Sequence, residues 1–84
     1  MKKIVNATFE YNVNAYAFVE SNITAEDIEN KANEIADDVY YESYEELLET
    51  ILDELGVNAE IIEKCEINNY DFDDFLEVDL QYIF

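Results

Sequence analysis

The sequence predicts an α+β domain: an antiparallel sheet of three or four strands with two helices packed on one face, in the order β(β)–α–α–β–β. Three observations predict it. Val5, Ala7, Phe9, Tyr11, Val13, Ala15, Ala17 and Val19 are apolar at strict period two, the mark of a half-buried strand. Tyr44, Leu47, Leu48, Ile51, Leu52 and Leu55 recur at steps of three and four, the mark of one apolar helix face. Beyond Gly56 the alternation returns to period two. At 84 residues the chain reads as a single domain, 1–84, with a core small enough to be marginal.

The N-terminal alternation outruns the roughly 3–10 residues of an ordinary strand. Either one long bent strand crosses the sheet, or the chain folds back near residues 12–14 as a hairpin. Asn12-Val13-Asn14 lacks the Gly of a tight hairpin turn, so both options stand. Thr24, followed three residues later by Asp27, marks a helix start. Ile28, Ala32, Ile35, Ala36 and Val39 form its stripe, with an end expected around residues 38–41. The second helix follows almost at once. Ser43 with Glu46 reads as an N-cap and capping box, and Gly56 stands where a left-handed residue would stop the helix.

Val57, Ala59, Ile61, Cys65 and Ile67 suggest another strand, with Asn68 and Asn69 as a turn. Phe72, Leu76, Val78, Leu80, Tyr82 and Phe84 then alternate with Asp73, Glu77, Asp79 and Gln81. These two runs are expected to pair as an antiparallel hairpin, leaving the outer face of the sheet polar.

Half the residues are hydrophobic and twelve are Tyr or Phe, so a packed core is expected rather than disorder. Cys65 is the only cysteine, which excludes an internal disulfide; its apolar neighbours suggest a small buried hydrophobe. The segment MKKIVNATFEYN lacks the apolar run of a signal peptide, and no stretch approaches the roughly 18 apolar residues of a membrane span. A cytoplasmic location is expected.

The charge is the informative feature. Twenty-two acids stand against four lysines and no arginine, a formal net charge of −18. Seventeen of the acids lie from Glu34 onward, accompanied only by Lys64. Solubility needs a magnitude of roughly 2–8 in a small domain, and a larger excess opposes compaction. The polar side of the second helix carries Glu42, Glu45, Glu46, Glu49, Asp53 and Glu54 with no basic residue to form stabilising pairs.

Most catalytic chemistry has no carrier here. The absence of His removes the usual general base and the Ser-His-Asp arrangement, and no Gly-rich phosphate loop exists. Carboxylate pairs abound, but a chain this short leaves little room for a pocket around one. Asn69, Asp71 and Asp73 match the first positions of an EF-hand loop; Asp74 then stands where Gly is required and Leu80 where Glu is, so the motif fails. No enzymatic activity, cofactor or metal is expected.

What remains is the arrangement of acids. Glu42, Glu46, Glu49 and Asp53 place about one charge per helical turn of roughly 5.4 Å. Asp73, Glu77 and Asp79 share one side of a strand, where alternate residues lie about 6.6–6.8 Å apart. Duplex DNA presents one negative charge per about 1.7 Å of axis. Tyr40, Tyr41, Tyr70, Phe72 and Phe75 interleave with the acids and add contact area. A solvated face of no further purpose is the plain alternative.

In size, cysteine-poor composition and acidic-aromatic segments such as YYESYEELLETILDEL and NNYDFDDFLEVDLQY, the chain resembles the small acidic DNA-mimic inhibitors of phages and mobile elements. That class includes anti-CRISPR, anti-restriction and uracil-DNA glycosylase inhibitor proteins. The resemblance implies a stoichiometric inhibitor, anti-CRISPR first and anti-restriction next, that blocks the DNA- or RNA-binding surface of a defence nuclease complex. Its partner would be a basic nucleic-acid-binding protein, a Cas effector or restriction enzyme, with no direct contact to nucleic acid or membrane. Partner-binding residues are then expected at Asp38, Tyr41, Glu42, Glu45, Glu46, Glu49, Asp53, Asp71, Asp73, Asp74, Glu77 and Asp79. Two other readings stand beside it: an immunity or antitoxin protein covering a basic toxin, and a structural homodimer joined by a strand edge or by residues 80–84.

Overall fold

The computed structural model describes residues 2–81. β1 (Lys2–Thr8) and β2 (Asn14–Glu20) form an antiparallel hairpin around a 3-10 turn at Glu10–Asn12. Asn12 takes φ 62°, the left-handed conformation that Asn tolerates better than other non-glycine residues, and so replaces the missing Gly. The Phe9 N–H donates to the Val13 carbonyl at 2.8 Å and closes the turn. Of the two N-terminal options, the chain adopts the hairpin. Partners such as Ala7↔Ala15 and Val5↔Ala17 are all odd-numbered, so the odd residues of both strands share one face.

α1 (Ala25–Ile35) begins in a complete capping box. The Asp27 N–H donates to Thr24 Oγ1 at 3.2 Å, and the Thr24 N–H to Asp27 Oδ2 at 3.1 Å. The helix stops at Ile35, short of residues 38–41, with the Asp38 N–H bonded back to the Ile35 carbonyl. α2 (Tyr44–Glu54) is capped by Ser43, whose Oγ accepts from the Glu46 N–H. The box expected there is altered: Glu46 Oε2 accepts from the Glu42 N–H, one residue further out than the Ser43 amide.

α2 ends in a Schellman motif. The Val57 N–H reaches the Leu52 carbonyl and the Gly56 N–H that of Asp53, with Gly56 at φ 73°. A Cβ at Gly56 would meet nothing within 4 Å, so only the backbone conformation opposes a side chain there. Gly56→Ala is therefore expected to destabilise by about 1–2 kcal/mol, and Gly56→Asn by less, as measured by urea unfolding.

The C-terminal third departs from the expected hairpin. β3 (Ala59–Ile62) pairs antiparallel with β2, whereas β4 (Phe75–Asp79) pairs parallel with β1, giving the strand order β3-β2-β1-β4. The two C-terminal strands are thus opposite edges of a mixed sheet. Residues 63–74 cross between them, with 3-10 segments at Lys64–Asn69 and Phe72–Asp74; Asn68 and Asn69 end the first of these and turn no hairpin. Cys65 and Ile67 lie in this crossover, outside β3, and Cys65 is exposed, contrary to the buried position expected of it. The alternation expected at Tyr82 and Phe84 falls outside the described residues.

The helices pack on one face of the sheet, α2 over β2 and β3, α1 against β4. Val5, Ala7, Ala15, Ala17, Val19 and Val78 from the sheet meet Ile28, Ala32, Leu47, Leu48, Ile51 and Leu52 from the helices in the main core. Each of the larger aliphatic side chains stabilises by about 1.5–3 kcal/mol when fully buried. The outer face is only half polar. Asn6, Thr8, Asn14, Glu77 and Asp79 occupy one half by their register, but Ile4, Tyr16 and Ile62 form a second buried cluster on the other. Phe18, Phe75 and the crossover's Ile67 cover it. That apolar half explains the crossover: an uncovered cluster would leave Ile4 and Ile62 in water. No helix among the described residues is long and apolar enough to cross a membrane.

Candidate partner-binding surface

α2 turns Leu47, Leu48, Ile51 and Leu52 inward, all 0% exposed, and this fixes the helix about its axis. Glu45, Glu46, Glu49, Asp53 and Glu54 consequently all lie in solvent, joined by Glu42 just ahead of the first turn. Glu46 is held by its bond to the Glu42 N–H, and Thr50 Oγ1 donates to the Glu46 carbonyl at 2.9 Å. Stacked rings support the row at its base. Phe9 stacks on Tyr44 with ring centroids 4.5 Å apart, and Tyr44 on Tyr41 at 6.2 Å. Tyr41, expected at the interface, is therefore half-buried and largely committed to packing.

Asp38 is exposed between the helices, next to Tyr40, whose 81% exposure makes it the more available aromatic. The acidic neighbours Asp37, Asp38 and Glu42 in the sequence mark that position, but helical phase does not, because residues 36–43 belong to neither helix.

The remaining expected residues lie elsewhere. Asp71, Asp73 and Asp74 are exposed on the crossover, and Glu77 and Asp79 on β4. The helices cover the opposite face of the sheet. Asp79 is internally engaged: its carboxylate accepts from the Gln81 N–H and Nε2 at 3.2 and 3.0 Å, and its own N–H donates to Glu29 Oε1 at 3.4 Å. The twelve residues thus form two groups, one on the helix layer and one across the sheet. Among the described residues, no three Asp, Glu or Cys converge where a metal ion could be held.

Little local charge is neutralised. Among the described residues one ion pair forms, Lys31 Nζ to Glu34 Oε2 at 3.2 Å on α1, and none involves α2. Lys3 Nζ is directed to the Ile23 carbonyl at 3.5 Å. Raising NaCl from about 0.01 M to about 0.5 M should screen this repulsion and raise Tm by on the order of 5 °C in thermal melts. An unchanged Tm would mean that the acids are too dispersed to repel one another. Comparison with protein-family models, curated proteins and solved structures finds no match for this chain.

Proposed function

We propose that the protein is a non-catalytic inhibitor that occupies the nucleic-acid-binding surface of a bacterial defence nuclease complex, of the anti-CRISPR or anti-restriction kind. The observation that carries this reading is the outer face of α2. Its acids from Glu45 to Glu54 are all exposed and none is ion-paired among the described residues. Five carboxylates, Glu45, Glu46, Glu49, Asp53 and Glu54, are spread over nine helical steps of about 1.5 Å, a mean axial interval of about 3.4 Å. One strand of B-DNA carries a phosphate per about 3.4 Å, so the mean charge density along the helix, with individual steps of about 1.5 to 6 Å, is that of a single strand. A basic channel built for a phosphate backbone would receive such a face, and long-range attraction would speed the encounter.

The test uses a panel of Cas effectors and restriction enzymes. Addition of this protein should abolish binding of labelled target DNA by at least one of them, with excess DNA restoring it. The protein alone should shift neither duplex DNA nor RNA in a gel at physiological salt, because phosphate is repelled. Tight nucleic-acid binding by the protein in the absence of divalent metal would sink the reading. So would inhibition of a nuclease that still binds its DNA at full affinity. Inhibition of a basic toxin and of no nuclease would favour the immunity reading instead.

A further inference from the structure

We propose that the free edge of β3 takes up an extended basic segment of a partner protein as an added strand, with Lys or Arg side chains held between α2 and β3; this rests on the reading of the partner as a basic protein. The strand order leaves β3 and β4 as the edges, and an edge strand presents unpaired N–H and C=O groups that another chain can pair with. The two edges differ. On β4, the Glu29 carboxylate of α1 takes the Asp79 N–H and so occupies part of the ladder an incoming strand would need. On β3, no hydrogen bond from outside the sheet reaches residues 59–62 among the described residues.

The surface beside β3 is concave on both sides. A groove of about 430 Å³ runs between α2 and the strand, with Glu49 and Asp53 on the helix wall and Glu60 on the strand. A second, of about 290 Å³, lies beside Phe18, with Glu20 and Glu60 on its walls. Ala59 and Ile61 pack toward the helices, while Ile62, and by alternation Glu60, belong to the other face. Alternate residues of an added strand would therefore meet Glu49 and Asp53 on one side of the sheet and Glu60 or Glu20 on the other. Main-chain hydrogen bonds supply affinity in such strand addition, and the alternate side chains supply specificity.

Charge selects the occupant. A second copy of this chain carries the same −18, and pairing β3 with β3 would bring Glu60 and its flanking acids against their equivalents. A nucleic acid is repelled for the same reason. An extended segment rich in Lys or Arg is the one occupant that satisfies both the open backbone ladder and the carboxylates.

The experiment titrates the full-length ¹⁵N-labelled protein with a peptide of about ten residues alternating Val and Lys, at about 0.15 M NaCl. Two controls accompany it, the same peptide with every backbone amide N-methylated, so that neither edge can donate to β3, and a Val–Glu version. Strand addition predicts the largest amide shifts, and slowed amide exchange, at residues 59–62. It also predicts binding at least about tenfold weaker for the N-methylated peptide and for a Glu60→Lys protein, and no binding of Val–Glu. A Glu26→Lys protein, changed at an exposed position of α1, should bind like the parent. Equal binding of the N-methylated peptide, shifts confined to β4 or to the outer face of α2, or no binding of Val–Lys would each overturn the proposal. None of these outcomes decides nuclease inhibition, which the DNA-competition assay reads separately.

Discussion

Glu49→Lys with Asp53→Lys should weaken inhibition of the target nuclease by about 100-fold while leaving the melting temperature within a few degrees of the parent. Both side chains are exposed on α2, and no hydrogen bond or ion pair holds either one among the described residues. Reversing them removes two attractive charges and installs two repulsive ones where the partner's basic channel would lie. Close charge pairs across an interface couple by about 1.5–7 kcal/mol, so even the low end for each position gives a loss of that order. Glu46 is the wrong position for this test. Its carboxylate caps the Glu42 N–H, and replacing it would mix a folding defect of about 1 kcal/mol into the result.

The parallel pair Asp73→Lys with Asp74→Lys probes the group across the sheet. The molecule measures 34 × 26 × 18 Å, so one channel wall facing α2 does not also face the crossover. The crossover pair is accordingly expected to lose less than about tenfold. Salt-dependent association kinetics with the inhibited nuclease check both. Equal losses from the two pairs, with both proteins folded, would remove α2 from its assigned role.

Phe9→Ala should have the largest effect on stability, about 3–5 kcal/mol. Phe9 is 0% exposed, stacks on Tyr44, and leads into the turn that joins β1 to β2. Truncation would open a cavity beneath the start of α2 and remove the closer of the two stacks on Tyr44, leaving that with Tyr41. A domain of 84 residues has about 4–13 kcal/mol in total, and acidic repulsion is expected to put this one toward the lower end at low salt. Most of the variant should therefore be unfolded at 25 °C in low salt and partly recovered at high salt, by far-UV circular dichroism and urea titration. Phe9→Leu should retain a cooperative transition. A loss of less than 1 kcal/mol in Phe9→Ala would show that the site collapses around the smaller side chain.

Local chemistry made much of this structure legible. Thr24 with Asp27, Ser43, and Gly56 mark helix termini because caps satisfy backbone groups only a few residues away. The phase of Leu47, Leu48, Ile51 and Leu52 likewise settles which acids of α2 reach water. The N-terminal fold-back was less visible. Paired positions such as 7 and 15 share parity, so the alternation continues unbroken through a turn made by Asn12 rather than Gly. In the candidate surface, exposure of the acids on α2 follows from helical phase, while the edge of β3 has Glu49 and Asp53 of α2 on one side and Glu60 of the strand on the other, brought together from two separate elements. No pattern within either element contains that pairing.

By itself the sequence determined two capped helices, an apolar strand face to receive them, and a one-sign polar surface. Only the tertiary structure decided which strand lies beside which. β1 and β2 each keep one free edge after pairing with each other, and a backbone ladder accepts any strand of suitable twist whatever its distance in sequence. The choice falls to burial. Ile4, Tyr16 and Ile62 on the outer face require a cover, and residues 63–74 provide it by crossing that face. That crossing carries β4 to the far edge, parallel to β1, and leaves Cys65 in solvent instead of in a strand. Period-two alternation records which face a residue occupies. It holds no record of which neighbour the strand will find, because that depends on the competition among all the free edges and uncovered apolar faces at once.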